Sequence, residues 1–161
     1  SLVLHEEPLD DFVKECCTEI KVLLKTTQIR LSSELGCSAL VRIDRDKLRR
    51  AIWNLAANAR EALKGDGEIR IKTESVGSQA VIHVEDTGCG IPEEHREKIF
   101  EPFFTQGKSL KGFGLGMSIT QRIITDHSGR IELQSELGKG TTFSIWLPVA
   151  AANPRANAAA G

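Results

Sequence analysis

The chain has 161 residues, 40% of them apolar and 27% charged, which is ordinary for one soluble globular domain, alone or with a short appendage. Its 21 basic and 22 acidic side chains leave a net charge of −1, which excludes a nucleic-acid binder driven by a generally basic surface. No apolar run nears the ~18 residues a membrane helix needs, and residues 1–7 lack the basic-then-apolar order of a secretion signal.

Residues 1–7 read as the remnant of an upstream helix or linker, and a first residue of Ser reads as an excised piece of a longer protein. Pro8 opens a first helix, with Asp10 and Asp11 at the positive end of its dipole. Leu9, Phe12, Val13, Cys16, Ile20, Leu23 and Leu24 follow at helical spacing. Segments 28–34 and 39–43 read as strands on either side of Gly36. A long helix starts at Asp46, carries Leu48, Ile52, Leu55, Ala56, Ala59 and Leu63, and stops in a Gly65-Asp66-Gly67 turn. Segments 68–73 and 80–85 alternate as a hairpin about Gly77-Ser78. A glycine-rich loop covers 86–92, and Pro92 leads a short helix over 93–99.

Residues 105–113 show little periodicity and read as a flexible loop. Leu115, Ile119, Ile123 and Ile124 mark another helix, closed at Ser128-Gly129, and 130–135 with 141–147 form a last strand pair. From Ala150 to Gly161 the composition collapses to Ala and Asn, which predicts a disordered tail. Strands in adjacent pairs predict an α/β (α+β) two-layer sandwich: a mixed, largely antiparallel sheet covered on one face by about three helices. Cys16, Cys17, Cys37 and Cys89 make no CxxC pair and read as small buried hydrophobes in a reducing cytosol. His5, His83, His95 and His127 show no metal-binding spacing.

Several glycine motifs fail on inspection. Gly107-Lys108-Ser109 resembles the end of a P-loop, but the glycine needed five residues earlier is Pro102. Gly112-Phe113-Gly114-Leu115-Gly116 is GxGxG after a loop, not the GxGxxG of a dinucleotide fold, and there is no HRD or DFG element. What remains is a constellation. Asn54 and Asn58 lie four apart on one helix face, although Asn is a poor helix former. They are either ligands or amides bonded to a neighbouring loop. Asp86 enters Asp-x-Gly-x-Gly, either where backbone can approach a ligand or as a turn cap. Gly114-Leu115-Gly116 opens a helix, as an anion site or as a hinge.

In this order the segments resemble the catalytic, ATP-binding domain of sensor histidine kinases, built on the Bergerat fold, over residues 8–149. Asn54-Leu55-Ala56-Ala57-Asn58-Ala59 matches the N box, and Asp86-Thr87-Gly88-Cys89-Gly90-Ile91-Pro92 the G1 box. Phe100-Glu101-Pro102-Phe103-Phe104-Thr105 matches the F box. Gly112-Phe113-Gly114-Leu115-Gly116-Met117-Ser118-Ile119 matches the G2 box, and Gly138-Lys139-Gly140-Thr141-Thr142-Phe143 the last glycine motif.

The resemblance implies that Asn58 coordinates Mg²⁺, that Asp86 accepts from the adenine amine, and that Gly88 and Gly90 let the loop pass close to the base. It implies an ATP lid over about 93–111, with Lys108 and Lys111 available to phosphate oxygens, and Gly112, Gly114 and Gly116 offering N–H groups. Arg60, Glu61, Ile91, Phe100, Thr105, Phe113, Leu115 and Thr141 fall in or beside the matched boxes and complete the expected ATP site. Asn54 replaces the Glu that activates water in the hydrolysing relatives, which implies transfer to another acceptor. Glu61 stands where many such kinases hold a Lys or Arg.

The implied function is γ-phosphoryl transfer to a histidine on a missing dimerisation domain, for relay to the receiver domain of a response regulator. His5-Glu6 is not expected to be the acceptor. The implied setting is the cytoplasm, with ATP and Mg²⁺, no nucleic acid, a monomeric fragment, a homodimeric parent and any membrane anchor upstream. A serine kinase that sequesters a partner, like an anti-sigma factor, and a nucleotide-gated regulatory module are the other readings of the same fold.

Overall fold

A computed structural model describes residues 1–102 and 116–155. Among these residues seven strands form one sheet: β1 (His5–Pro8), β2 (Gln28–Leu35), β3 (Leu40–Ile43), β4 (Asp66–Val76), β5 (Gln79–Asp86), β6 (Arg130–Glu136) and β7 (Gly140–Ala151). The path runs β1-β3-β7-β5-β4-β2, and β6 also pairs with β7. All pairs are antiparallel except β2 with β4, which is the pair joined by a long crossover. Three helices, α1 (Leu9–Leu23), α2 (Arg45–Leu63) and α3 (Gly116–Asp126), cover one face.

Period-two alternation decides which strand residues face the helices. Ala80, Ile82 and Val84 of β5 and Phe143, Ile145 and Leu147 of β7 point inward and are buried. They meet the stripes of α1 (Leu9, Phe12, Val13, Cys16, Ile20) and α2 (Leu48, Ile52, Leu55, Ala59), which makes one continuous core. Burial pushes the Cys16 thiol up to about 12 and the Cys17 thiol to about 11, so both behave as core hydrophobes. Cys37 is buried too, but Cys89 is exposed on its loop, against the expectation for all four. The outer face closes on itself: Val81 is buried beside its cross-strand partner Trp146, and Arg130 stacks 4.2 Å over the Trp146 ring.

α2 is held at its start by several groups. Asp44 caps it, accepting from Lys47 N–H at 3.3 Å, and its other oxygen accepts from Val3 N–H at 3.0 Å. The Asp44 N–H donates to His127 Nε2 at 3.0 Å, and His127 Nδ1 lies 2.8 Å from the Ile123 carbonyl. The second contact fixes the tautomer, with the proton on Nδ1. Arg45 pairs with Glu7 and Glu15.

These contacts correct the reading of residues 1–7 as a leftover helix or linker. Residues 5–8, His5 included, form an edge strand beside β3, because their backbone completes the sheet and Val3 and Glu7 find partners at the start of α2. The helix expected over 93–99 is two single 3-10 turns, Glu93–His95 and Lys98–Phe100. The break between them lets Ile99 bury and Phe100 meet Phe143 edge-on, with ring centroids 6.3 Å apart. The last strand does not stop at 147. Pro148 is its final residue opposite β5; beyond it Val149 and Ala151 pair with β3, so Ala150 and Ala151 belong to the sheet and not to a tail.

Candidate functional site

α2 carries a strip of small and polar residues at a spacing of four: Asn54, Asn58 and Ala62, all half-buried. From Asn54 to Ala62 this covers ~12 Å of helix, at 1.5 Å per residue. Both ends of the strip are tied to other elements. At one end Asn54 Nδ2 donates to Thr120 Oγ1 at 3.3 Å, and Thr120 donates to the Gly116 carbonyl at 2.8 Å. At the other end Gly88 lies against Ala62, so closely that a Cβ there would sit 2.9 Å from both the Ala62 carbonyl and its methyl. Between them the Asn58 amide makes no hydrogen bond within the described residues. The strip thus runs from the first turn of α3 to the glycine loop after β5, with an open amide midway.

Asp86 ends β5 opposite Thr141, and alternation turns its carboxylate into the helix layer, where it is 9% exposed. Burial raises its pKa; hydrogen bonds from Gly88 N–H, at 2.8 Å, and from the Thr141 backbone work the other way without cancelling it. A carboxylate held this way is a buried acceptor at the end of β5. The loop beyond it is fastened by a residue that sequence reading missed. Ser135 Oγ accepts from Ile91 N–H at 2.7 Å, donates to the Gly140 carbonyl at 3.0 Å and lies 2.9 Å from Thr141 Oγ1. Gly90, at φ +79°, makes the sharp return beside Glu136.

Several expected residues are placed elsewhere. Arg60 is exposed, and two residues on from Asn58 it faces ~160° away round the helix, so it does not join the strip. Glu61 is exposed, on the same side as Asn58 by spacing. Phe100 packs edge-on against Phe143, the packing role its sequence position suggests in preference to stacking on a base. Thr141 serves through its backbone toward Asp86 and its hydroxyl toward Ser135. Gly116 begins α3, while Phe103, Phe104, Thr105, Gly107, Lys108, Lys111, Gly112, Phe113, Gly114 and Leu115 lie outside the described residues.

Thr120 and Ser135 each carried a faint signal. Both are hydroxyl residues at inward positions of otherwise apolar stripes, Met117-Thr120-Ile123-Ile124 and Ile131-Leu133-Ser135. A cavity of about 390 Å³ opens at the Asp86 end of the site, lined by Asp86, Ser135 and Thr141 together with Glu68, Arg70 and Glu85. The strip on α2 does not line it.

The donor set decides which groups fit. Among the described residues no cluster of three or more His, Cys, Asp or Glu could cage a metal. A cation at Asn58 would therefore take one amide oxygen and draw its remaining ligands from water and phosphate, the habit of Mg²⁺. A buried acceptor at one end of the strip and the start of a helix at the other suit a ligand with a base and a phosphate chain.

Comparison with known proteins agrees with this arrangement. The family model described as "Histidine kinase-, DNA gyrase B-, and HSP90-like ATPase" matches residues 43–151. The signal transduction histidine-protein kinase AtoS of Escherichia coli (strain K12) is 42% identical over 118 residues, 73% of this chain and 19% of that protein. Sporulation kinase C of Bacillus subtilis (strain 168) is 32% identical over 151 residues, 92% of this chain and 35% of that protein. The chain therefore spans about a third or less of these relatives. The nucleotide-free catalytic domain of histidine kinase ThkA superposes with a TM-score of 0.81 at 32% identity, covering 92% of this chain and 99% of that one. ThkA in complex with the response regulator TrrA gives 0.77 at 30% identity, over 91% of this chain and 42% of that one.

Proposed function

This chain belongs to the histidine kinase-, DNA gyrase B- and HSP90-like ATPase family, an ATP-binding fold, and we propose that it is the catalytic domain of a two-component sensor histidine kinase. In this reading it delivers the γ-phosphoryl group of ATP to a histidine on a dimerisation domain, for relay to the receiver domain of a response regulator. The observation that carries the reading is the strip on α2: Asn54 tied to α3, Ala62 against Gly88, and the Asn58 amide open between them.

Asp86 accepts a hydrogen bond from the exocyclic amine of adenine; guanine presents a carbonyl there and is repelled. The Asn58 oxygen would hold Mg²⁺, which would supply positive charge against the phosphates. The first turn of α3 receives the phosphate end. Asn54 supplies no base, since an amide does not take a proton at neutral pH and this one is engaged with Thr120. Water is therefore poorly activated, which favours a histidine acceptor over hydrolysis. Catalysis then rests on positioning and charge neutralisation.

The domain by itself is read as a monomer and its parent as a homodimer. Among the described residues no helix is long and apolar enough to cross a membrane, and the reading places the domain in the cytoplasm beside its ATP.

The test pairs calorimetry with phosphotransfer. Wild type is expected to bind ATP more tightly than GTP, with affinity raised by Mg²⁺, and to label a dimerisation hairpin supplied in trans. Asn58→Ala is expected to lose the Mg²⁺ dependence and the transfer while keeping its circular dichroism. Equal affinity for ATP and GTP, or transfer by Asn58→Ala at the wild-type rate, would count against the assignment.

A further inference from the structure

We propose that Thr120 is a positioning residue, which sets where the phosphate end of the nucleotide meets the first turn of α3. The proposal rests on the nucleotide reading above and extends it to a residue outside every sequence motif.

Thr120 is the polar member of α3's buried stripe, between Met117 and Ile123-Ile124, and it is 0% exposed. A valine would fill the same space, and a hydroxyl at that depth is costly unless bonded. This one is bonded in both directions. It accepts from Asn54 Nδ2 at 3.3 Å and donates to the Gly116 carbonyl at 2.8 Å. The acceptor belongs to the first residue of α3, one turn back, where a threonine hydroxyl adjusts the bend of a helix. The partner belongs to α2, one turn before the Asn58 amide. One hydroxyl therefore sets the first turn of α3 against the helix that carries Asn58.

The far end of the same helix pair is fixed separately. α2 and α3 run antiparallel, since residues 44 and 54 meet residues 127 and 120. Asp44 N–H on His127 Nε2 closes that end. Apolar contacts between the two bolts are non-directional and would tolerate sliding. With the far end fixed, the geometry of the near end depends on Thr120.

The consequence is a selective one. Adenine is read at Asp86 and Gly88, at the other end of the strip, so releasing Thr120 should be felt by phosphates and not by the base. The experiment compares ADP with adenosine by calorimetry and NMR titration, in wild type, Thr120→Val, Thr120→Ser, Asn54→Ala and the Thr120→Val/Asn54→Ala double variant. Thr120→Val is expected to weaken ADP about three- to tenfold, the scale of a hydrogen-bond contribution, and to leave adenosine within about twofold. Thr120→Ser should recover ADP affinity. Asn54→Ala should lose no more than Thr120→Val, and the double variant no more than Thr120→Val, because valine already removes the contact with Asn54.

Parallel losses for ADP and adenosine, unchanged ADP affinity in Thr120→Val, or additive losses in the double variant would each overturn the proposal. Should Thr120→Val fail to fold, Asn54→Ala tests the same contact. A wild type that binds neither ligand overturns the nucleotide reading and this proposal with it. That outcome is distinct from a failure of Thr120 alone, in which wild type binds both.

Discussion

At Asp86 two demands oppose each other. The carboxylate must be buried to read a base, and burial disfavours its charge, which raises its pKa. A carboxyl whose pKa is raised on folding contributes most when protonated, and that contribution is lost as pH rises through its folded value. Asp86→Asn keeps the acceptor for Gly88 N–H and removes the charge, so it should melt higher than wild type at neutral pH. The gap should close as acid protonates Asp86 in the wild type; a gap independent of pH would rule the account out. The same variant should bind ATP one to two decades more weakly, the effect of losing a charge-assisted hydrogen bond worth roughly 1.5–3 kcal/mol. Its preference over GTP should narrow, since an amide can also donate; calorimetry with both nucleotides reads this. Gly90 is a simpler case. A Cβ at φ +79° would meet the Glu136 carbonyl at 2.4 Å, so Gly90→Ala should cost roughly 1–3 kcal/mol in urea unfolding.

α2 is the element on which the site depends, and its start is as informative as its middle. Asp44 caps it, and the Val3 N–H, before any other influence, holds that carboxyl below the usual range. A carboxyl with a lowered pKa contributes above its unfolded value, and the contribution fades as pH falls through the folded one. Asp44→Ala should therefore cost about 0.5–2 kcal/mol at neutral pH and less in acid, with faster amide exchange at Val3 and Lys47. Unaltered exchange at both amides would show that the cap is not holding them.

Much of this element was legible beforehand. Leu48, Ile52, Leu55 and Ala59 announce the helix by period, and two asparagines four apart announce its odd face. Other features were not legible for a physical reason. Thr120 reaches Asn54 across 66 residues and Ser135 reaches Ile91 across 44, and no local period encodes such pairings. A four-residue strand ending in Pro8 has too few alternations to register, and the split of 93–99 is imposed by the pull of Phe143 on Phe100.

For the chain as a whole, the amide of Asn54, which supplies no base, should show as slow turnover. With no base to orient and deprotonate water, about 10²–10⁴ of rate is missing, so phosphate release from ATP should be sluggish even when nucleotide is bound. A coupled phosphate assay showing brisk release would move the protein to the hydrolysing branch of its family. The sheet imposes a different kind of order. β7 joins β5 on one side to β6 and β3 on the other, yet it is the last strand among the described residues. On the ribosome, β1 and β3 are made long before β7 and must wait while roughly a hundred more residues are added, several seconds or more at 5–20 residues per second. Until then they have no link to the β2-β4-β5 half, and the nascent chain holds two unfinished sheets with bare edges. Premature termination between Asp86 and Gly140 would leave both in that state, a substrate for chaperones and proteases rather than a weakened domain.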